Sequence, residues 1–540
     1  MAGPTASRVR LERNLMLGKK AHFLVDLQLG GQLRRLSRET ILVGPYQYEG
    51  LIVGEIQWDR EIDLFSASAD VLSLPLSVVL PFDVAEQVER GFDLLHGIGE
   101  LSIWVEDTDY EDRVVLLRGR VTDPEYGADG EPFTCSLQSE FFEDRSLVPG
   151  PDQLIDETTW PDAAEASIGL AYPFVFGENP SSGSGNVPTS PAYLVDTTVG
   201  DETLVLAGHR VEATSVTVWS TTGGTAGATA LGVSTMLDGL GNLVSVVGGT
   251  GVGLGALAFS ADDDFWITWD QGGGGHLNKT EDGPLTGAGD LIEHLLARST
   301  LTYDAGRIAF AKPYLNRFKL QGYIAESVSA WEYITSNLSP ILPMSIVTGV
   351  DGVFVVPWRY DAMLKDSVDL LNVGYDPTIE RDGPVRVDGS IKDIINRFKL
   401  KYAISGPTGI ATRATILSHT RNADDPKAAE NVWCKASHSR YGSRSEEQES
   451  TVIYEPIAAG LVVQWYSRAR ALPSRVVSYL VGYDRAWLDP GNVVTLTDPE
   501  LHFESQLCMV EAVSQLENDT VRLRLRILED PSLKFNNSAV

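Results

Sequence analysis

Apolar residues recur along the first 150 positions in short runs broken by turn signals, the rhythm of a strand-built region. Ala21 to Leu29 (AHFLVDLQL) ends at Gly30-Gly31, and Leu51 to Trp58 (LIVGEIQW) and Leu101 to Val105 (LSIWV) are similar runs with β-branched and aromatic content. Val114 to Val121 (VVLLRGRV) closes at Asp123-Pro124, and Phe133 to Phe141 (FTCSLQSEF) alternates as a half-buried strand does. Turn signals about every ten residues predict a barrel or sandwich. Only Val84 to His96 (VAEQVERGFDLLH) has helical spacing there.

Two Pro-, Ser- and Gly-rich breaks follow, Val148 to Pro151 and Asn179 to Pro191, and the first marks a domain boundary. From about 190 to 275 the chain is rich in Gly, Thr and Val, and between Gly223 and Ser260 Asp238 is the one charged residue. Its glycines forbid a spanning helix, so small strands with Gly turns in a core or subunit interface are expected. Helices cluster afterwards. Gly289 to Ser299 sets Leu291, Ile292, Leu295 and Leu296 on one stripe, and Ser329 with Glu332 matches the capping-box pattern ahead of Pro340. Ser390 to Phe398 reads as a short helix and Ile457 to Ala471 as a longer one, with Arg468 and Arg470 in its last turns. After Pro473 strands return at Val476 to Val481, Val493 to Leu496, Leu507 to Val513 and Val521 to Ile527. The last, VRLRLRI, alternates strictly, giving an apolar face opposite Arg522, Arg524 and Arg526.

Length and charge narrow the class. A chain of 540 residues exceeds the roughly 250–300 that one core serves, so three to four folding units are expected. With 43 basic against 74 acidic residues the net charge is −31, which argues against stable nucleic-acid or anionic-lipid binding over a broad surface. Cys135, Cys434 and Cys508 are far apart and read as buried thiols; no CxxC is present. The stretch Leu72 to Phe82 is apolar but short and broken by Pro75 and Pro81, so no transmembrane segment is expected. The N-terminal residues lack a signal-peptide core, so the chain is expected to fold in the cytoplasm of the cell that makes it.

No motif singles out catalytic, cofactor-binding or metal-ligating residues. Gly272 to Thr280 (GGGGHLNKT) imitates a phosphate loop, but Asn278 stands where the second glycine belongs, and Gly283-Pro284 breaks any helix after Thr280. Glu106 to Asp112 (EDTDYED) imitates the start of a calcium loop yet offers Arg118 at the twelfth place, so a charged hairpin tip is expected; Asp262-Asp263-Asp264 reads as a solvated turn. The eight histidines, His22, His96, His209, His276, His294, His419, His438 and His502, show no HxxxH or HExxH spacing, and no GxSxG elbow occurs. Trp331-Tyr333 and Trp465-Tyr466 could stack sugars, but at helical spacing they read as core.

Several segments, taken in order, resemble tail proteins of long-tailed bacteriophages: Glu49 to Ile52, Trp58 to Phe65, RGRVTDPEY at 118–126, FVFG at 174–177 and AYLVD at 192–196. Later come SAWEYITSNLSPILPMSIVTGVDGVFVVPWRYD at 329–361, SHSRYGSR at 437–444, DPGNVVTLTDPEL at 489–501 and RLRILEDP at 524–531. Together they resemble the baseplate hub of a phage or gene-transfer particle. The resemblance implies a mainly β, multidomain α+β chain with two tail-tube-like barrels. Residues 1–148 would be the first barrel and 149–285 a Pro/Gly-rich β insertion. Residues 286–375 would form an α+β domain, and 376–540 the second barrel with helix 457–471. It also implies a non-enzymatic homotrimer in the virion tail, contacting the distal tail protein ring, tail-tip or fibre proteins and the tape-measure protein. DNA would pass transiently during ejection, through a lumen whose acidic charge suits sliding. No cofactor is expected, since the four clustered cysteines of an iron–sulfur site are missing. Rival readings are a hexameric distal tail ring protein, a carbohydrate-binding receptor-recognition component, and a cell-wall hydrolase, for which no placed carboxylates or Cys–His pair are found.

Overall fold

The computed structural model describes residues 14–15, 18–62, 73–95, 97–127, 131–138, 146–177, 190–198, 201–209, 216–221, 228–231, 234–237, 243–246, 264–269, 285–359, 362–388, 393–419, 428–516 and 520–528. The fold is mainly β, in several sheets, with helices gathered around the middle.

The first sheet holds β1 (Ala21–Leu29), β2 (Gln32–Ser37), β3 (Ile41–Val43), β4 (Tyr46–Gly50), β6 (Ser73–Val78), β7 (Ile98–Val105), β8 (Val114–Glu125) and β9 (Phe133–Gln138), in the order β3-β4-β2-β1-β7-β8-β9-β6. The Gly30-Gly31 turn has φ of 50° and 80°, the left-handed pair that a two-residue hairpin between β1 and β2 requires. Residues running on from β4 meet β6: Val53 N donates to Ser77 O and Val79 N to Leu51 O, both at 2.9 Å. The run that leaves β4 thereby covers the outer edge of β6, the strand at the far end of the sheet. The EDTDYED segment is the β7–β8 hairpin connection, with a short 3-10 turn at Tyr110–Asp112 and Lys19 paired to Asp107.

A second sheet is built from Asp369–Asn372, Val493–Asp498, Phe503–Leu516, Thr520–Ile527, Ser474–Val481 and Glu380–Arg381. It takes one strand from the start of the chain: β5 (Asp59–Glu61) pairs antiparallel with Phe503–Leu516 in the register Glu61 to Ala512. The flanking bonds Ile62 N to Glu511 O and Gln515 N to Trp58 O, each 2.9 Å, extend that pairing. Side chains of the two sheets form one core, in which Val25, Leu27 and Leu101 lie with Tyr479, Leu496, Val510 and Leu525, all essentially inaccessible. Each such side chain contributes about 1.5–3 kcal/mol by leaving water.

The middle body surrounds a separate core. Helices Ala288–Arg298, Ala305–Leu315 and Pro456–Arg470 pack with the hairpin Met344–Gly349/Gly352–Pro357. The sheet of Arg397–Ser405, Ile410–Ser418, Ala428–Glu430 and Ser445–Glu449 contributes to the same core through Phe398, Leu400 and Tyr402. Trp358 is wholly buried and donates from Nε1 to Ser345 Oγ at 2.7 Å. Ser329 caps its helix by accepting from Glu332 N at 3.1 Å, and Ala330–Tyr333 runs on into a π-helical turn at Ile334–Leu338. The Gly-rich region contributes Val216–Thr221, Ala228–Leu231, Ser234–Leu237, Leu243–Val246 and Asp264–Trp269 to a seven-stranded sheet with Ser190–Asp196 and Thr203–Ala207.

Two local expectations need correction, and two helices form that carry no expectation from the sequence. The helix expected over Val84 to His96 ends at Glu89, because Arg90 leaves the helix and Gly91 turns left-handed at φ 88°. The described part of Ser390 to Phe398 is not helical: Arg397 opens a strand in which Phe398, Leu400 and Tyr402 alternate inward, so the period of two prevails. Helices also form at Ala305–Leu315, capped by Asp304, and at Val432–Tyr441, capped by Asn431 and stopped at Gly442 (φ 72°). GGGGHLNKT lies outside the described residues, as does most of Asn179 to Pro191 and of Gly223 to Ser260.

Candidate functional site

The place where distant parts of the chain are tied together is a cleft of about 320 Å³ between the two end sheets and the middle body. It is floored by an ionic node. Asp489, in the turn after Leu488, presents one carboxylate oxygen to Arg60 of β5 and the other to Arg307 of helix Ala305–Leu315. Asn492 Oδ1 holds this turn by accepting from Asp489 N at 2.9 Å. Arg60 also donates to Ala486 O at 2.6 Å and lies over the Trp58 ring at 4.8 Å, while Arg307 lies over Phe354 at 4.1 Å. Arg118 of β8 reaches Asp351 of the middle hairpin at 3.3 Å across the mouth. One carboxylate thus joins a guanidinium from the strand supplied by the start of the chain and one from a helix of the middle body, each on its own oxygen, in charge-assisted contacts.

Burial governs the electrostatics. The Arg60 side chain is 9% exposed, and burial pushes its guanidinium down to about 10 against the opposing pull of Asp59. Burial likewise lowers Arg307 from its ordinary value. Beside the cleft, the arginine face of VRLRLRI is neutralised by carboxylates. Arg526 pairs with Glu511, Arg524 with Glu61 of β5 and Glu511, and Arg522 with Asp382 at 2.5 Å. Val521, Leu523, Leu525 and Ile527 point into the shared core, as the alternation predicts. The cleft is lined by three arginines (Arg60, Arg118, Arg307) and three aspartates (Asp304, Asp351, Asp489), so it is an ionic joint of balanced charge.

The aromatic pairs singled out in the sequence lie in or against the core. Tyr333, Trp465 and Tyr466 are buried, and Tyr466 stacks on Phe398 at 4.4 Å and donates to Pro340 O at 2.5 Å. Cys135, Cys434 and Cys508 are buried free thiols. Among the described histidines, His209 accepts from Val175 N at 3.1 Å, and His294 stacks on Phe174 at 5.4 Å with burial pushing it down to about 3. His419 and His438 stack at 3.6 Å, a contact that their separation along the chain conceals. No group of three or more His, Cys, Asp or Glu placed to hold a metal occurs among the described residues, and no described helix is long and apolar enough to cross a membrane. Sequence reasoning missed the whole node: Arg60, Arg307 and Asp489 carry no motif, and only the aspartate-rich run at 58–65 and the DPGN turn at 489–492 drew notice, as parts of the resemblance.

No family model matches the chain, and no curated protein matches it. Among solved structures it is similar to the tail protein from Neisseria meningitidis, with 10% identity over 94% of this chain and 97% of that one and a TM-score of 0.37. It is similar to the 43 kDa tail protein of prophage MuSo2 from Shewanella oneidensis, with 10% identity, 93% and 98% coverage and a TM-score of 0.32. It is also similar to prophage tail protein gp18 from Listeria monocytogenes, with 6% identity, 94% coverage of both chains and a TM-score of 0.35.

Proposed function

We propose that this chain is a structural protein of a phage-type tail, a trimeric baseplate hub that seats on the distal end of the tail tube and performs no chemistry. One observation carries the reading: the sheets built by the two ends of the chain share a core, and the second takes strand β5 from the start of the chain. A subunit holding two such units turns three copies into six similar faces, so a threefold tip can sit on a sixfold tube. In this proposal 1–148 and 376–540 supply the tube-like units, while 149–285 and 286–375 form the insertion and the α+β body. Tight ionic ties at Asp489 and Glu511 keep the two units in fixed register, which a ring lining a channel needs. The net charge of −31 suits a conduit along which DNA slides during ejection. Its partners are further copies of itself, the distal tail ring, tail-tip or fibre proteins and the tape-measure protein.

Mass photometry of the purified chain tests this. Assemblies of three times 58.7 kDa are expected, whereas six copies would favour the distal ring reading. Deleting the gene should leave detached tubes or tailless heads. Complete particles that fail only to adsorb would instead indicate receptor recognition.

A further inference from the structure

Each end sheet has a short outermost strand that carries one large apolar side chain in solvent. In the first sheet the run after β4 covers β6, which leaves β3 as the outer strand. Ile41 and Val43 pack inward beside Tyr48 and Trp104, while Leu42 between them is 69% exposed. In the second sheet one outer strand is Asp369–Asn372, paired in parallel with Val493–Asp498. Its Leu371 is buried in the shared core, and Leu370 is 55% exposed. Three more exposed apolar side chains flank this strand: Met363 and Leu364 before it, and Tyr375, 80% exposed, in the turn after it. No strand among the described residues lies on the outer side of β3 or of Asp369–Asn372.

An edge strand leaves a row of N–H and C=O groups without a ladder partner, and proteins that stay single shield such edges with charge, bulges or cover. Exposed leucine and tyrosine do the opposite, and their concentration in one place marks an interaction surface. We propose that the two edges pair with each other between copies of this chain: β3 of one copy extends the second sheet of the next along Asp369–Asn372, and Leu42 packs with Leu370. Length and charge select this occupant. A strand of three residues meets one of four. The stretch 32–43 carries Arg34, Arg35 and Arg38 against Glu39, whereas 363–382 carries Asp366, Asp369, Asp376, Glu380 and Asp382 against Lys365 and Arg381. On the opposite side of the second sheet, Arg386–Asp388 also exposes an apolar residue, Val387. Its stretch, 381–388, balances two arginines with two aspartates and offers the arginines of 32–43 no such attraction. Because the two edges differ, the contact runs head to tail, the kind that builds rings, and is not a self-matching twofold pair. The inference rests on the hub reading above, whose three copies it joins.

Cross-linking of the full chain tests it. Leu42→Cys and Leu370→Cys are placed on differently tagged, co-expressed chains and treated with a bis-maleimide reaching about 8 Å, the span of direct and diagonal cross-strand neighbours. The native cysteines are buried. A covalent dimer joining the two tags is expected, and a chain carrying both substitutions should yield a covalent species of three times 58.7 kDa. Leu370→Lys, a change at an exposed edge position, should weaken assembly at least tenfold in mass photometry with an unchanged circular dichroism spectrum. Three-copy particles that give no cross-link between positions 42 and 370, that cross-link only chains of the same tag, or that assemble equally well with Leu370→Lys would overturn the pairing and leave the hub reading intact. Chains that stay single at every concentration would overturn both.

Discussion

Replacing Asp489 by Asn removes the charge on which two arginines converge, and its cost can be worked from the burial of each partner. Arg60 and Asp489 are 9% and 16% exposed, so their pair is shielded from solvent, whereas Arg307 is 37% exposed. Removing one member of a buried pair costs about 3–5 kcal/mol, because the other charge stays buried without compensation. A half-exposed pair contributes only about 0–1 kcal/mol. Arg60 would keep the Ala486 carbonyl and the Trp58 ring, which favours the lower end, about 3 kcal/mol. That corresponds to roughly a 150-fold rise in local opening. The reporters are the amides of Ile62 and Gln515, which bond across the β5 pairing, followed by hydrogen exchange. Arg307→Ala should change their exchange less than about fivefold. Arg60→Met with Asp489→Leu, which replaces the pair by apolar groups of similar size, should restore most of the protection. If Asp489→Asn exchanges within threefold of the native chain, or the apolar double variant is as labile as the single one, the node does not hold β5 in place.

Other outcomes follow from single sites. His294 titrates near 3 in the folded chain and about 6.5 when unfolded. The unfolded state therefore binds more protons between these values, and stability falls as pH drops below 6.5. His294→Phe should reduce the loss between pH 7 and 5 by about 2 kcal/mol, read from urea unfolding at the two pH values. An unchanged loss would show that His294 is not the acid-sensitive group. Gly177 has φ 96°, and a methyl group there would lie 2.2 Å from Leu320 O, so Gly177→Ala should loosen the pairing of Phe174–Gly177 with Gln321–Ile324 and lower the melting temperature. An unchanged melting temperature would contradict that packing. Burial pushes the Cys135 thiol up to about 12 and raises Cys434 and Cys508. None of the three should react with a disulfide reagent at pH 8 until the chain unfolds; fast reaction of any one in native conditions would refute its placement.

What the sequence disclosed was local. The Gly30-Gly31 hairpin, the strand VRLRLRI, the stripe from Leu291 to Leu296 and the helix after Pro456 announce themselves through a period of two or 3.6 residues and through their caps. The helix Val432–Tyr441 escaped because it buries chiefly Cys434 and Ser437, too little apolar surface to mark a stripe. The strand at Arg397 is concealed because SIKDIINRF carries polar and apolar residues at spacings that suit a helix. Hidden altogether were the long-range pairings: β5 with Ala512 to Ser514, Arg60 and Arg307 with Asp489, and His419 on His438. A strand of three residues, Asp59–Glu61, has no pattern of its own, and the partner that orders it is supplied by the far end of the chain.

A density map of the assembled tail tip, with copies of this chain counted around the axis, measures the doubling of strand-built units directly. Three copies, each placing both end sheets in one ring of six, is the predicted arrangement. Six copies contributing one sheet apiece, or three copies with a single sheet at the ring, would contradict it.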